Sequence, residues 1–115
     1  MLEKHEQCVF VDYCKRIGRP AVMINNGFLI GGGIDKYKYI NSLKAQGLKT
    51  GFPDIMVLTC NSRRPVVFFE FKRAKTGKVS ERQQEWHDWL HANDYPIYVV
   101  TSADEAVEKL HQYLR

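Results

Sequence analysis

Long hydrophobic runs are missing from this sequence. No stretch of the 115 residues approaches the roughly 18 consecutive apolar residues that a membrane-spanning helix needs. The charged N-terminus, Met1 to Glu6, leads into no apolar signal-peptide region with a small-residue cleavage site. We therefore expect no membrane partner and a protein that stays where it is made, in the cytoplasm, or in the host cytoplasm if it is viral.

Cysteine is scarce, and the common catalytic signatures are absent. The three cysteines, Cys8, Cys14 and Cys60, are odd in number and have no C-x-x-C spacing, which argues against a disulfide framework and a cysteine-rich zinc site. We expect buried or idle thiols. The glycines between residues 27 and 33 do not fit the dinucleotide fingerprint G-x-G-x-x-G, and the sequence has neither a P-loop nor a serine nucleophile elbow.

Size and charge set looser bounds. A chain of 115 residues is enough for one core, so we expect one domain over residues 1–115 with one site on one sheet. The net charge of +4 permits a phosphate-bearing partner without demonstrating one.

The apolar pattern predicts an α/β fold with the order α-β-α-β-β-α-β-α. The five-residue link from Asn61 to Pro65 makes the second and third strands antiparallel hairpin neighbours. We therefore predict a single mixed β-sheet flanked by helices. Helices are predicted at 3–17, about 35–46, 80 to about 93 and 102–113, and strands at 21–24, 54–59, 66–72 and 96–100.

The third strand ends in two charges. Four apolar residues precede Glu70 and Lys72, and charges on a buried strand are costly unless a partner or a metal neutralises them. Residues at i and i+2 share one face of a strand, so Glu70 and Lys72 project together while Phe71 points to the opposite face. Hairpin pairing also brings Asp54, at the start of the preceding strand, close to Glu70.

Two close carboxylates repel each other, and a divalent cation keeps both ionised at neutral pH. Oxygen ligands favour Mg²⁺ or Mn²⁺, which polarise a phosphodiester and activate water beside an assisting lysine. The pattern therefore suits phosphodiester hydrolysis. Two ordinary explanations stay open: Asp54 simply begins a strand, and Glu70 with Lys72 is a solvated pair on an edge strand.

Several motifs occur together in the order of a known family. Pro53-Asp54 followed by Glu70-Phe71-Lys72 resembles the PD-(D/E)XK signature of the restriction-endonuclease-like nuclease superfamily. With 47–54, Ser80-Glu81-Arg82-Gln83 and 102–106, the sequence resembles the virus-type replication-repair nuclease (VRR-NUC) domain from about Glu6 to the C-terminus, particularly its minimal phage and bacterial members.

The resemblance implies roles for the motif residues. Asp54 and Glu70 match the metal-ligating carboxylates, the backbone carbonyl of Phe71 matches a further ligand, and Lys72 matches the catalytic lysine. Glu6 is the best match to a site glutamate on the first helix, which contacts the metal directly or through water. Its alternative is a surface helix carboxylate.

Gln83 has two competing roles. By resemblance it orients the attacking water or a phosphate. The same S-x-x-Q pattern is also a capping box, in which Ser80 caps the helix and Gln83 reaches back to it. We favour the functional role for Gln83 and the cap for Ser80.

Basic residues near these motifs are candidates for DNA binding, although a solvated basic loop is the alternative. The glycine-rich loop from Asn25 to Gly33 would let a nucleic acid backbone approach closely. The candidate DNA contacts are Arg73, Lys75, Lys78, Arg82, Lys49 and Asn26.

The segment His87-Asp88-Trp89-Leu90-His91 looks superficially like the zinc protease motif H-E-x-x-H. We predict that Trp86, Trp89 and Leu90 form the buried stripe of this helix and leave both histidines at its border. Since no third ligand is apparent, a zinc site is not favoured.

The leading hypothesis is a Mg²⁺- or Mn²⁺-dependent DNA endonuclease that acts on duplex, branched or other structured DNA, in a DNA repair or phage setting. The runner-up is a DNA-binding module that keeps the nuclease fold without useful cleavage. A third is a junction resolvase or restriction-like enzyme from another superfamily branch. The resemblance is also compatible with a homodimer, but no stretch identifies the interface.

Overall fold

The computed structural model describes residues 3–24, 36–47 and 49–114. Within these ranges the predicted order α-β-α-β-β-α-β-α is confirmed. Asn26 and the glycine-rich loop lie outside the described residues. The elements are α1 (Glu3–Arg16), β1 (Ala21–Met23), α2 (Lys36–Ala45), β2 (Ile55–Leu58), β3 (Val66–Phe71), α3 (Glu81–Ala92), β4 (Ile97–Val100) and α4 (Ala103–His111).

The elements begin and end within about two residues of the predicted boundaries, and local chemistry explains the differences. Ser80 and Ser102 are N-caps rather than first helical residues, because each side-chain oxygen accepts a hydrogen bond from a backbone amide three residues later. β2 ends before Cys60, whose positive φ of 62° leaves the extended region. No helix in the described ranges is both long and apolar enough to cross a membrane.

The four strands form one mixed sheet in the order β1-β2-β3-β4. The predicted hairpin is confirmed, since β2 and β3 are antiparallel with Ile55 opposite Phe69. β1 also runs antiparallel to β2, whereas β4 runs parallel to β3 and follows the α3 crossover. β3 therefore lies inside the sheet, between an antiparallel and a parallel neighbour.

One face of the sheet is covered by α1 and α4 and holds the main core. Phe10 of α1 packs edge-on against Phe69 with ring centroids 4.8 Å apart and also contacts the ring of Phe71. Burial of these rings supplies the main driving force for this layer. The fully covered members of this core include Phe10, Cys14, Ile55, Val57, Val67, Phe69, Phe71, Val100, Ala106 and Leu110.

The opposite face carries α3 and a smaller core. Phe68, Leu90 and Ile97 form its buried centre, with Met56 and Phe52 packed against them. Alternation along β3 puts Phe68 and Glu70 on this α3 face and Phe69 and Phe71 on the other. The smaller core fills only part of the face, which leaves room for a polar site where β3 ends.

Candidate active site

Asp54 lies opposite Glu70. The β2–β3 register pairs Ile55 with Phe69, and one further residue on each strand brings Asp54 beside Glu70. Asp54 is held from the other side as well, because its backbone carbonyl accepts a hydrogen bond from the amide of Ile24 at 2.7 Å. The preceding Pro53 is fully buried. The backbones of Asp54 and Glu70 are thus fixed next to each other at this end of the sheet.

Glu70 is buried to an unusual degree for a carboxylate, with 1% of its surface exposed. Its strand neighbours Phe69 and Phe71 turn to the main core, so the carboxylate side chain lies on the α3 face. A buried charge is costly without a compensating ion or donor. Position 70 is therefore suited to a carboxylate that binds a cation or accepts a hydrogen bond from a polar partner.

His87 of α3 faces this carboxylate. Its Nε2 lies 3.9 Å from Oε1 of Glu70, and its side chain is 5% exposed. Burial lowers the pKa of His87, and the nearby positive charge of Lys72 lowers it further, while Asp88 and Asp54 act in the opposite direction. Lys72 and Asp54 are thus both within electrostatic range of His87, which itself faces Glu70.

The predicted buried stripe of α3 is confirmed at Leu90 and wrong at the two tryptophans. Trp89 is 52% exposed and Trp86 is half-buried, whereas His87 is buried with Leu90. The helix instead turns Gln83, His87 and Leu90 toward the sheet, at the spacing i, i+4 and i+7 of a single helix face. Sequence reasoning placed His87 at the border because two tryptophans looked like the stronger apolar signal.

Contacts among aromatic rings that are exposed or only partly buried explain that error. Trp86 packs edge-on against Phe52 at 5.1 Å and contacts Trp89 at 6.0 Å between ring centroids. Trp89 in turn stacks on Tyr95 at 6.1 Å. The tryptophans therefore bury area against other aromatics beside the helix rather than under it.

Lys72 follows β3 directly and remains tied to the sheet, since its backbone amide donates to the carbonyl of Val100 at 2.8 Å. A tight loop folds back over it. In this loop the amide of Gly77 donates to the carbonyl of Arg73 at 2.7 Å, and Lys75 has a positive φ of 69°. A Cβ on Gly77 would lie 2.8 Å from Cβ of Lys72, so the loop and the lysine stem are in close contact.

Gln83 forms the capping box with Ser80. Its backbone amide donates to Oγ of Ser80 at 3.2 Å, and its Oε1 accepts from the backbone amide of Ser80 at 2.9 Å. Among the described residues no hydrogen bond uses the Nε2 of Gln83, which therefore stays available as a donor. Its role toward water or phosphate stays a prediction.

Glu6 connects α1 to the start of α4. Its Oε1 accepts a hydrogen bond from the backbone amide of Ala103 at 2.9 Å. Ala103 follows the end of β4, where Val100 is paired with Phe71. Glu6 thus lies at the same end of the sheet as Lys72, with one oxygen engaged in capping. Whether it also contacts a metal stays a prediction.

The candidate DNA contacts are unequal in their surroundings. Arg73, Lys75 and Lys78 are exposed in the loop after β3. Arg82 is exposed too, and its guanidinium donates to Oγ1 of Thr50 at 3.1 Å. Lys49 is exposed at the start of the segment that leads to Asp54. Arg73, Lys75 and Lys78 thus follow the end of β3 in the chain, whereas Asn26 lies outside the described residues.

The donor set fits a hard divalent cation with few protein ligands. In the ranges that the structure covers, no group of three or more His, Cys, Asp or Glu side chains is placed to hold a metal. Mg²⁺ commonly binds through one or two carboxylates and keeps several waters, and Asp54 beside Glu70 offers that number. Zinc sites use three or four protein ligands, which is more than this pair of carboxylates supplies.

One surface cavity lies away from these residues. A cavity of about 620 Å³ is lined by Cys60 to Arg64 and by Gln112 and Tyr113. These residues sit at the start of β3, at the opposite end of the strand from Lys72. Nothing in the predicted chemistry involves them.

Comparisons with known proteins identify the family and the fold. The family profile of the VRR-NUC domain matches residues 5–104. A solved structure described as a VRR_NUC domain protein has the same fold with a TM-score of 0.69 and 19% sequence identity, and the match covers 98% of this chain and 88% of that one. Among curated proteins no significant match is found. The chain therefore belongs to the VRR-NUC family and has a nuclease-type fold of the class that acts on DNA.

Proposed function

We propose that this protein is a DNA endonuclease that hydrolyses phosphodiester bonds with the aid of Mg²⁺ or Mn²⁺. The observation that carries the proposal is the position of Asp54 opposite Glu70, with Lys72 two residues further along the same strand face. A binding module has no need of two adjacent carboxylates where a phosphate must approach. Membership of the VRR-NUC family supports the same conclusion.

Some of the site residues would hold the metal ion, and others would act on the attacking water and the phosphate. Asp54 and Glu70 would hold the ion, with the backbone carbonyl of Phe71 as a further ligand and Glu6 in contact directly or through water. When bound, the ion polarises the scissile phosphate and makes water a better nucleophile. The Lys72 ammonium orients that water and stabilises the charge that develops on the phosphate. The Nε2 of Gln83 donates to the water or to a phosphate oxygen.

Substrate binding falls to the basic side chains around the site. Arg73, Lys75, Lys78, Arg82 and Lys49 would neutralise phosphates on both sides of the scissile bond, and the side-chain amide of Asn26 would donate a hydrogen bond to a phosphate oxygen. We infer that duplex or branched DNA is the substrate and that the protein acts in the cytoplasm, in repair or during phage replication. A homodimer would present two such sites to a symmetric junction.

Cleavage of labelled duplex, flap and four-way-junction DNA tests the proposal. The protein is incubated with each substrate in Mg²⁺, in Mn²⁺ or in chelator, beside Lys72→Ala and the control Lys15→Ala, which changes an exposed lysine on α1. We expect cutting that needs metal, falls at least 100-fold in Lys72→Ala and is unchanged in Lys15→Ala. Cleavage that survives chelation or the Lys72 change contradicts the mechanism, and binding without cutting in either metal indicates a binding module instead.

A further inference from the structure

His87 is a buried polar residue that the proposed mechanism does not use. Its side chain is 5% exposed, and Nε2 finds no hydrogen-bond partner among the described residues. Buried polar atoms are nearly always hydrogen-bonded, so such an atom calls for a functional explanation. The group that Nε2 faces is the carboxylate of Glu70, with Oε1 at 3.9 Å.

We propose that His87 is a positioning residue that holds the Glu70 carboxylate by donating its Nε2–H to Oε1, and that it thereby sets the affinity of the site for the divalent cation. The inference rests on the proposed function, because it gives Glu70 the role of a metal ligand. It assigns His87 no contact with the substrate or the reacting atoms.

The placement of His87 on α3 supports this role. Gln83 and Leu90, the other two residues on its helix face, are held by the capping box and by the smaller core. The helix is therefore anchored on both sides of His87, and the imidazole is presented to β3 from a fixed backbone. A group that must orient a carboxylate is most effective when its own position is fixed in this way.

The separation of the two atoms leaves a small adjustment to be made. A hydrogen bond between N–H and O has a length of about 2.9 Å, so the pair at 3.9 Å must close by about 1 Å. We expect rotation about the side-chain bonds of Glu70 or His87 to close that distance. Oε1 of Glu70 is then held by His87.

Two substitutions distinguish the role of the Nε2–H donor of His87 from that of the space its side chain fills. His87→Leu keeps a side chain of similar size and removes the donor, so weaker metal binding in the folded variant reports on the hydrogen bond rather than on the space that the side chain fills. His87→Gln keeps a side-chain N–H at a similar reach. Loss of an outer-shell partner commonly weakens metal binding 10–100-fold, and we expect a loss of that size in His87→Leu and a change below about 3-fold in His87→Gln.

The measurement is the affinity for Mn²⁺ without DNA, by titration calorimetry and by the electron paramagnetic resonance of free Mn²⁺, on variants whose circular dichroism shows them folded. Glu70→Gln serves as the marker of the site. A protein whose Mn²⁺ binding is the same in Glu70→Gln as in the parent contradicts the proposed function itself. Binding that Glu70→Gln abolishes but His87→Leu leaves unchanged overturns only the role of His87.

A nitrogen-sensitive spectrum distinguishes positioning from direct ligation. If His87 acts through Glu70, electron spin echo modulation of bound Mn²⁺ shows no coupling from a directly bound imidazole nitrogen. A ligand-strength nitrogen coupling that disappears in His87→Leu would overturn the positioning role. The proposal predicts weak Mn²⁺ binding in His87→Leu, binding close to that of the parent in His87→Gln, and no such coupling in the parent.

Discussion

Gly51 lies against the first turn of α3, where a Cβ would come within 2.9 Å of the carbonyl carbon of Arg82. The segment that leads to Pro53 and Asp54 is therefore packed backbone to backbone on the helix that carries Gln83 and His87. Gly51 also has a positive φ of 82°, which is a second reason why this position requires glycine. The contact fixes the two halves of the site relative to each other.

Gly51→Ala is expected to weaken both the fold and the site. The left-handed conformation and the overpacked contact together cost about 2–4 kcal/mol of unfolding free energy, and the forced shift of Asp54 lowers cleavage. The matched control is Gly18→Ala, since Gly18 has a similar φ of 72° but nothing within 4 Å of a Cβ. We expect a loss of about 1–2 kcal/mol there. Equal losses in chemical denaturation would contradict the role of the contact.

Gly77→Ala is expected to affect catalysis more than metal binding. A Cβ at residue 77 would lie 2.6 Å from the backbone nitrogen and oxygen of Arg73 and 2.8 Å from Cβ of Lys72, so the loop must move and take the lysine with it. A displacement of about 1 Å at a catalytic group costs up to 100-fold in rate. We expect single-turnover cleavage to fall about 10–100-fold while Mn²⁺ affinity is unchanged.

Thr76→Ala, in the same exposed loop, is the control for this variant. It removes a side chain without adding a contact and should cleave as the parent does. A Gly77→Ala protein that cleaves normally would show that the loop does not position Lys72.

The two roles of Gln83 are separable by a single change of chemistry. Gln83→Glu keeps the acceptor for the backbone amide of Ser80 and places a negative charge in the first helical turn, which stabilises a helix. It removes the Nε2 donor. We expect unchanged or higher thermal stability together with at least a 10-fold loss of cleavage.

Ser80→Ala gives the opposite result if the assignment is right. Loss of the N-cap costs about 1 kcal/mol, whereas the amide of Gln83 is retained, so cleavage at a temperature well below the unfolding transition should change little. Full activity in Gln83→Glu would mean that this residue only caps the helix.

The reactivity of the three cysteine thiols tests which of them are buried. Cys14 is buried, and burial raises its pKa to about 12, while Cys8 and Cys60 are exposed. We expect two thiols per chain to react with a disulfide reagent at pH 8 within minutes and the third only after denaturation. Since unfolding restores the ordinary pKa of 9.0, the contribution of Cys14 to stability is complete below pH 9 and is lost as the pH rises toward 12. Three fast thiols in the native protein would contradict the packing of α1.

The order of the elements was predictable because local signals agreed with the tertiary arrangement. The short link from Asn61 to Pro65 dictated the hairpin, and the side-chain period of two then placed Asp54 beside Glu70 and turned Phe71 to the other face. The burial of His87 was not predictable in the same way. Two faces of α3 carry apolar residues, and only the ring contacts among Phe52, Trp86, Trp89 and Tyr95 decide which face turns to the sheet.

The close contacts of Gly51 and Gly77 lie beyond sequence reasoning for another reason. Each depends on a backbone segment that approaches from elsewhere or folds back, and a glycine in a polar loop looks the same whether a Cβ would meet backbone or open space. Gly47 and Gly18 have nothing within 4 Å of a Cβ and illustrate the second case.

The salt dependence of DNA binding tests which end of the sheet faces the DNA. Arg73 and Lys78 follow the end of β3, whereas Arg63 is equally exposed before its start, and six residues of strand separate the two ends by about 20 Å. Each phosphate contact contributes about 0.9 to the slope of log affinity against log salt for duplex DNA. We expect Arg73→Gln and Lys78→Gln each to reduce the magnitude of the slope by about 0.9, the value of one phosphate contact, and Arg63→Gln to leave it unchanged. Fluorescence anisotropy in chelator, from low to moderate salt, measures the slope. An equal loss in Arg63→Gln would place the DNA at the far end of the strand, away from Asp54, Glu70 and Lys72, and the proposed site could not then be the one that meets the phosphate.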